Sequence, residues 1–226
     1  MMRKVLDRGF IRLVDFMGGD FMVVQSARVS FGQESKGEEK DRKLIRYLLS
    51  HGHETPFEQS VFQFHVKCPL FVARQWFRHR WSSFNEISGR YTVFDDEEFY
   101  VPEKKRVREK VNKQGSVLAD VSEEEHRAFA GRIREETKRA LAAYRALLEE
   151  GAAKELARIV LPLNMYTQFY WSVNARSLMN FIKLRSDLHA QHEIRCYANV
   201  IREIFREKMP WTANAFDEIV KIDGGG

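Results

Sequence analysis

Cysteine is scarce in this chain: Cys68 and Cys196 are the only two in 226 residues. They lie far apart and make no C-x-x-C pair, which argues against a disulfide framework and a thiolate zinc site. Cys68 stands between a strand-like run and Pro69, and Cys196 on an amphipathic helical stretch, so each reads as a buried or incidental thiol. Long hydrophobic runs are also absent. No apolar segment approaches the roughly 20 residues that span a bilayer, and residues 1–7 lack the apolar stretch of a secretory signal, so the expected setting is cytoplasmic, without a membrane. Phosphate loops are missing too. Neither G-x-G-x-x-G nor G-x-x-x-x-G-K-[S/T] occurs, so a nucleotide has to be held in another way.

The hydrophobic content of 44% and charged content of 31% exclude a disordered or collagen-like chain. The length suits one substantial core, and residues 1–226 are read as a single catalytic domain. A formal net charge of +5 favours anionic ligands without identifying them.

Periodicity gives the outline. Residues 10–17 and 61–67 read as strands, as does the aromatic-rich stretch 165–173. Asp20 is placed to cap a helix running to about Arg28. Leu44, Ile45, Leu48 and Leu49 mark a helix over 36–51 that Gly52 ends. Thr55, Pro56 and Glu58 have the form of a capping box, and residues 69–80 form an apolar helix. Residues 101–121 are polar and expected to be an irregular loop, in which the basic run 104–110 is solvated surface. A long helix follows from 122 to about 150, stopping at Gly151. Asn174 caps another, on which Arg176 and Asn180 share a face, and Arg185 and His189 repeat that spacing. Residues 222–226 read as a flexible tail. The fold class is α+β, a small and mostly antiparallel sheet flanked by helices, one of them long.

Residues 78–91, RHRWSSFNEISGRY, put three arginines, a histidine, a carboxylate and short polar side chains into one stretch. Such a segment also fits a solvated helix end whose cations complement the dipole. The buried-looking lead-in 69–77 favours a binding site, because arginine forks match phosphate and carbonyl oxygens. A nucleotide or dinucleotide is the ligand that fits best.

This segment matches the signature R-H-R-x-x-S-x-N-E-x-S-x-R and resembles the flavin-dependent thymidylate synthases, the ThyX family. The likeness extends to 51–58 (HGHETPFE), 158–162 (RIVLP), 174–181 (NARSLMNF) and 185–191, covering roughly residues 8–100 and 140–215. It implies FAD held by Thr55, Arg78, His79, Arg80, Glu86, Asn174, Arg176 and Asn180, with His53, Glu58 and His189 as flavin or folate neighbours. It implies dUMP held by Gln75, Arg78, Glu86, Ile87, Ser88, Gly89, Arg90, Arg158 and Arg185, with Arg185 the catalytic group beside the uracil. The implied reaction is reductive methylation of dUMP to dTMP. 5,10-Methylenetetrahydrofolate gives the carbon and NADPH the reducing equivalents through FAD, with no cysteine nucleophile. A homotetramer with shared active sites is implied as well, with no metal and no nucleic-acid partner.

Two other classes compete on the residues alone. His51, His53 and Glu54 with His189, His192 and Glu193 could form a metal site, although neither half has the H-E-x-x-H form. The basic stretches with Trp76, Phe77, Trp81 and Phe84 could instead bind single strands.

Overall fold

A computed structural model describes residues 2–32, 35–95, 97–109 and 115–221, so the expected tail at 222–226 lies outside the described residues. The chain opens with an antiparallel pair, β1 (Met2–Val5) and β2 (Gly9–Met17). Gly18 and Gly19, at φ 95° and 125°, turn it into α1 (Asp20–Arg28). Gly19, not Asp20, occupies the cap of α1. The Asp20 carboxylate instead accepts from the backbone N–H groups of Trp211 and Thr212 at 2.8 and 3.0 Å, and from the Thr212 hydroxyl at 2.6 Å. It therefore satisfies the first turn of the chain's last helix, whose free N–H groups are the stronger demand.

α2 (Glu38–Ser50) ends before Gly52, at φ 70°. The expected capping box at Thr55 does not form. Residues Thr55–Gln59 make a 3-10 turn without a side-chain cap, and Glu58 pairs with Arg176 at 2.9 Å. β3 (Val61–Pro69) buries Phe62, Phe64, Val66 and Cys68 and turns the alternate residues away, the period of a strand covered on one face. α3 (Leu70–Trp76) stops short of the expected Arg80, so Arg78 and Arg80 project from a turn rather than a helix. β4 (Ser83–Glu86) follows.

The segment expected to be irregular contains a hairpin, β5 (Arg106–Arg108) with β6 (Ser116–Leu118). Its basic run is not simply solvated, because Arg106 forms a 2.8 Å ion pair with the buried Glu193. α4 (Glu123–Glu149) begins at a capping box of Ser122 and Glu125 and is followed by Gly151 at φ 86°. α5 (Lys154–Ala157) and a 3-10 turn (Arg158–Val160) lead to β7 (Tyr166–Asn174), α6 (Ala175–Arg185), α7 (His192–Lys208) and α8 (Pro210–Val220).

The main sheet has the order β1-β2-β3-β7-β4, with every neighbouring pair antiparallel. Trp76 anchors the core beneath it. Its ring lies 4.7–5.8 Å from those of Phe169, Trp171, Phe181 and Tyr197, joining α3, β7, α6 and α7. Truncating such a residue costs about 3–5 kcal/mol, so the end of α3 is firmly placed. The turn that follows inherits that rigidity. No helix among the described residues is long and apolar enough to cross a membrane.

Candidate active site

Beyond Trp76 the chain leaves the core and bends around a cleft of about 530 Å³. Arg78, His79, Arg80, Trp81 and Ser82 line one side; Arg176, Ser177, Asn180, Leu184 and Arg185 of α6 line the other, with Glu54 at the edge. The turn is pinned by the His79 N–H donating to Trp76 O at 3.0 Å and the Ser82 hydroxyl donating to His79 O at 2.7 Å. α6 begins at Asn174, whose side chain accepts from Ser177 N at 2.9 Å, and its 3.6-residue period directs Arg176 and Asn180 to the cleft.

Arg185 is fixed from two directions. Its Nε donates to His79 Nε2 at 3.0 Å, and its Nη2 donates to the Gln75 carbonyl at 3.2 Å. Burial, reinforced by Arg185, pulls the pKa of His79 down to about 4, so the ring is neutral near pH 7 and accepts at Nε2. Burial first, and Arg78 second, lower the pKa of Arg185. Arg176 holds Glu54 at 2.7 Å and Glu58 at 2.9 Å, and its guanidinium lies 5.4 Å from the Trp81 ring centroid. Arg78 and Arg80 make no ion pair or side-chain hydrogen bond among the described residues. Cations of like sign gathered around a concavity leave it short of negative charge.

A second cluster lies along β4 and β7. β4 runs from the cleft beside β7, Ser83 opposite Ser172 and Glu86 opposite Phe169, and Ile87 N continues the ladder to Gln168 O. At about 3.3 Å per residue, an extended run sets an upper limit of roughly 20 Å between Ser82 and Ser88. There Tyr91 and Thr92 close a turn on Ser88 O at 3.1 Å. Arg90 pairs with Glu155 at 3.0 Å, and Lys154 donates to Tyr91 O at 3.0 Å, which brings α5 over the turn. Gly89 is needed for close packing: a Cβ would stand 2.8 Å from Phe94 Cε2 and 3.1 Å from Arg158 Cδ. The Glu86 carboxylate accepts from the buried Thr167 hydroxyl at 2.7 Å.

The sequence-derived residues thus fall into separate groups. Arg78, His79, Arg80, Arg176, Asn180 and Arg185 line the cleft. Gln75 adjoins it through its carbonyl, and Glu58 through Arg176. Thr55, Glu86 and Asn174 do not line the cleft, and Ile87, Ser88, Gly89, Arg90 and Arg158 form the distant platform. His53 stacks with Tyr47 and His51 on the surface. His189 lies beyond the end of α6 and shares no helical face with Arg185; it lines a hollow beside the β5–β6 hairpin. Glu54, Val173, Ser177 and Leu184 line the cleft without having been expected there; Ser177 and Leu184 ride on α6 beside expected residues, whereas Glu54 is placed by its remote pair with Arg176.

The competing patterns do not assemble. His51 and His53 sit after α2, while His189 and His192 line the hollow, and no group of three potential ligands forms among the described residues. Of the four interleaved aromatics, Trp76 is fully buried, and Phe77 and Phe84 pack on each other at 4.8 Å; Trp81 alone of them is exposed.

Residues 12–211 match the family model described as "Thymidylate synthase complementing protein". A relative named flavin-dependent thymidylate synthase, from Thermosipho africanus, is 55% identical over 94% of this chain and 92% of its own. One of the same name from Thermus thermophilus is 54% identical over 95% of this chain and 77% of its own. A solved structure described as a UMP/dUMP methylase, PolB from Streptomyces cacaoi, bound with 5-Br dUMP, superposes with a TM-score of 0.87 at 32% identity, covering 98% of this chain and all of that one. The register of the arginine signature, the α+β fold and these matches agree, and the chain belongs to the Thy1 family of thymidylate synthases.

Proposed function

We propose that this protein is a flavin-dependent thymidylate synthase that methylates dUMP to dTMP, taking its carbon from 5,10-methylenetetrahydrofolate and its reducing equivalents from NADPH. The observation that carries this reading is the cleft with two guanidiniums, Arg78 and Arg80, that have no ion pair or side-chain hydrogen bond among the described residues, beside an oriented Arg185. That donor set suits FAD, whose pyrophosphate demands fixed cationic donors in the absence of a phosphate loop. Arg78, His79, Arg80, Arg176 and Asn180 would hold it, and Thr55, Glu86 and Asn174 join them from positions outside one chain's cleft. The flavin supplies the hydride chemistry when bound.

Arg185 is the catalytic residue. Its Nε and one Nη are occupied by His79 and the Gln75 carbonyl, so the guanidinium is already oriented before substrate arrives. A fixed cation against the uracil favours the N3-deprotonated form and raises electron density at C5. Ser88 serves in binding: its hydroxyl accepts from Arg90 N at 3.3 Å, and no base is hydrogen-bonded to it among the described residues. Cys68 is fully buried, and burial first, with the nearby Glu86 carboxylate second, raises its thiol pKa, which disfavours the nucleophilic thiolate.

The dUMP set is divided between the cleft and the platform, which lie at opposite ends of β4. The active site is therefore read as shared between subunits of a cytoplasmic homotetramer. Exposed Tyr91, Leu156, Ile159 and Leu163 around the platform support burial against another copy. The test is dTMP formation from dUMP, methylenetetrahydrofolate and NADPH, with FAD omitted in a parallel reaction and UMP as competing substrate. FAD-dependent dTMP is the expected outcome; no dTMP from protein that has bound both FAD and dUMP contradicts the reading.

A further inference from the structure

Two glutamines connect the cleft to a buried carboxylate. Gln75 Nε2 donates to Gln191 Oε1, and Gln191 Nε2 donates to Glu193 Oε2 at 2.9 Å. Glu193 is only 4% exposed, and its other oxygen accepts from Arg106 Nη1 at 2.8 Å and from the Tyr100 hydroxyl at 3.2 Å. The backbone carbonyl of the same Gln75 accepts from Arg185.

An amide can face either way, presenting oxygen or NH2, whereas a carboxylate paired with a guanidinium only accepts. Glu193 therefore requires the NH2 of Gln191, which turns the Gln191 carbonyl toward Gln75. Gln75 must then give one of its N–H groups to Gln191. The atoms left for a ligand, Oε1 and one N–H, stand in a fixed order.

We propose that Glu193 is a positioning residue that acts through Gln191 to set which way the Gln75 amide faces in the dUMP site. This rests on the reading that Gln75 meets dUMP. A reversed amide opposes donor to donor and loses its bond, so the direction contributes to affinity as well as order.

The test follows dUMP binding to the FAD-loaded protein by the change in flavin absorption. Glu193→Gln removes the directional constraint at nearly constant shape and is expected to weaken dUMP about five- to tenfold with flavin affinity unchanged. Gln191→Met should do the same, and the double variant should be no worse than either single one, because both act through one amide. Tyr100→Phe removes a different bond of Glu193; it should lower Tm while leaving dUMP affinity within about twofold. Additive losses in the double variant, or unchanged affinity in Gln191→Met, overturn the proposal even if Glu193→Gln folds poorly. Gln75→Met separates the layers. If it leaves dUMP affinity unchanged, the underlying site reading fails and the proposal with it; if it weakens dUMP while Glu193→Gln does not, positioning alone is overturned.

Discussion

The cleft near the Asn174 end of β7 is held together within one chain, whereas the 88–90 platform toward the Tyr166 end is open. In the cleft, Arg185 is clamped by His79 and the Gln75 carbonyl, and the turn that carries His79 hangs from the buried Trp76. At the platform, Arg90 pairs with the surface carboxylate of Glu155, and Ile159 and Tyr91 are 74% and 78% exposed. An enzyme whose reacting group is rigid inside one subunit can recruit its substrate grip from another. The fold separates the two parts along β4, and the proposed shared site would have assembly join them.

The largest effect should come from the rigid end. Arg185→Met is expected to lower kcat on the order of 100- to 1,000-fold with FAD still bound, as for removal of a preorganised charge. Arg90→Ala should weaken dUMP about 10- to 100-fold through loss of a charge-assisted contact. Co-assembly of these two impaired proteins, assayed at dUMP too dilute to saturate Arg90→Ala, should restore activity above either parent, because mixed sites combine an intact Arg185 with an intact Arg90. No recovery from demonstrably mixed oligomers would break the comparison.

A smaller effect is expected at Gly89. A Cβ there meets Phe94 and Arg158, so Gly89→Ala should displace the Arg158 side chain and raise the KM for dUMP several-fold, on the order of one lost hydrogen bond. FAD affinity should stay constant. A loss of flavin instead would mean that the two ends are not independent.

A separate effect, on stability and not on turnover, is a pH dependence confined to the cleft. His79 titrates at about 4 in the fold against 6.5 unfolded, so the unfolded chain takes up the proton first as pH falls. The histidine's contribution to stability is complete above about pH 6.5 and is lost progressively between 6.5 and 4. Tm measured across that window should fall more steeply in the wild type than in His79→Asn, which cannot titrate. Equal slopes would show that His79 is not the buried neutral acceptor described above.

Much of this was legible where the signal is local. Alternation marked β2 and aromatic enrichment β7; the helix expected from 122 and the Asn174 cap placed the starts of α4 and α6. Failures came where a side chain left its own neighbourhood. Asp20 serves α8 instead of α1, Glu58 turns from its own helix to Arg176, and Arg106 is drawn from a basic run to Glu193. For the same reason the sequence nominates candidate site residues through a signature of known spacing but does not give their locations. Nothing in the spacing of Arg80 and Ser88 reveals that a strand carries them to different surroundings.

On the proposed function, the arginine-lined cleft holds a flavin that senses dUMP. A visible absorption spectrum of the purified protein, incubated with FAD, desalted and then titrated with dUMP, tests it most directly. Retained flavin absorption that shifts with dUMP, and not with single-stranded DNA, is the predicted result; a properly folded protein that retains no flavin would contradict the account.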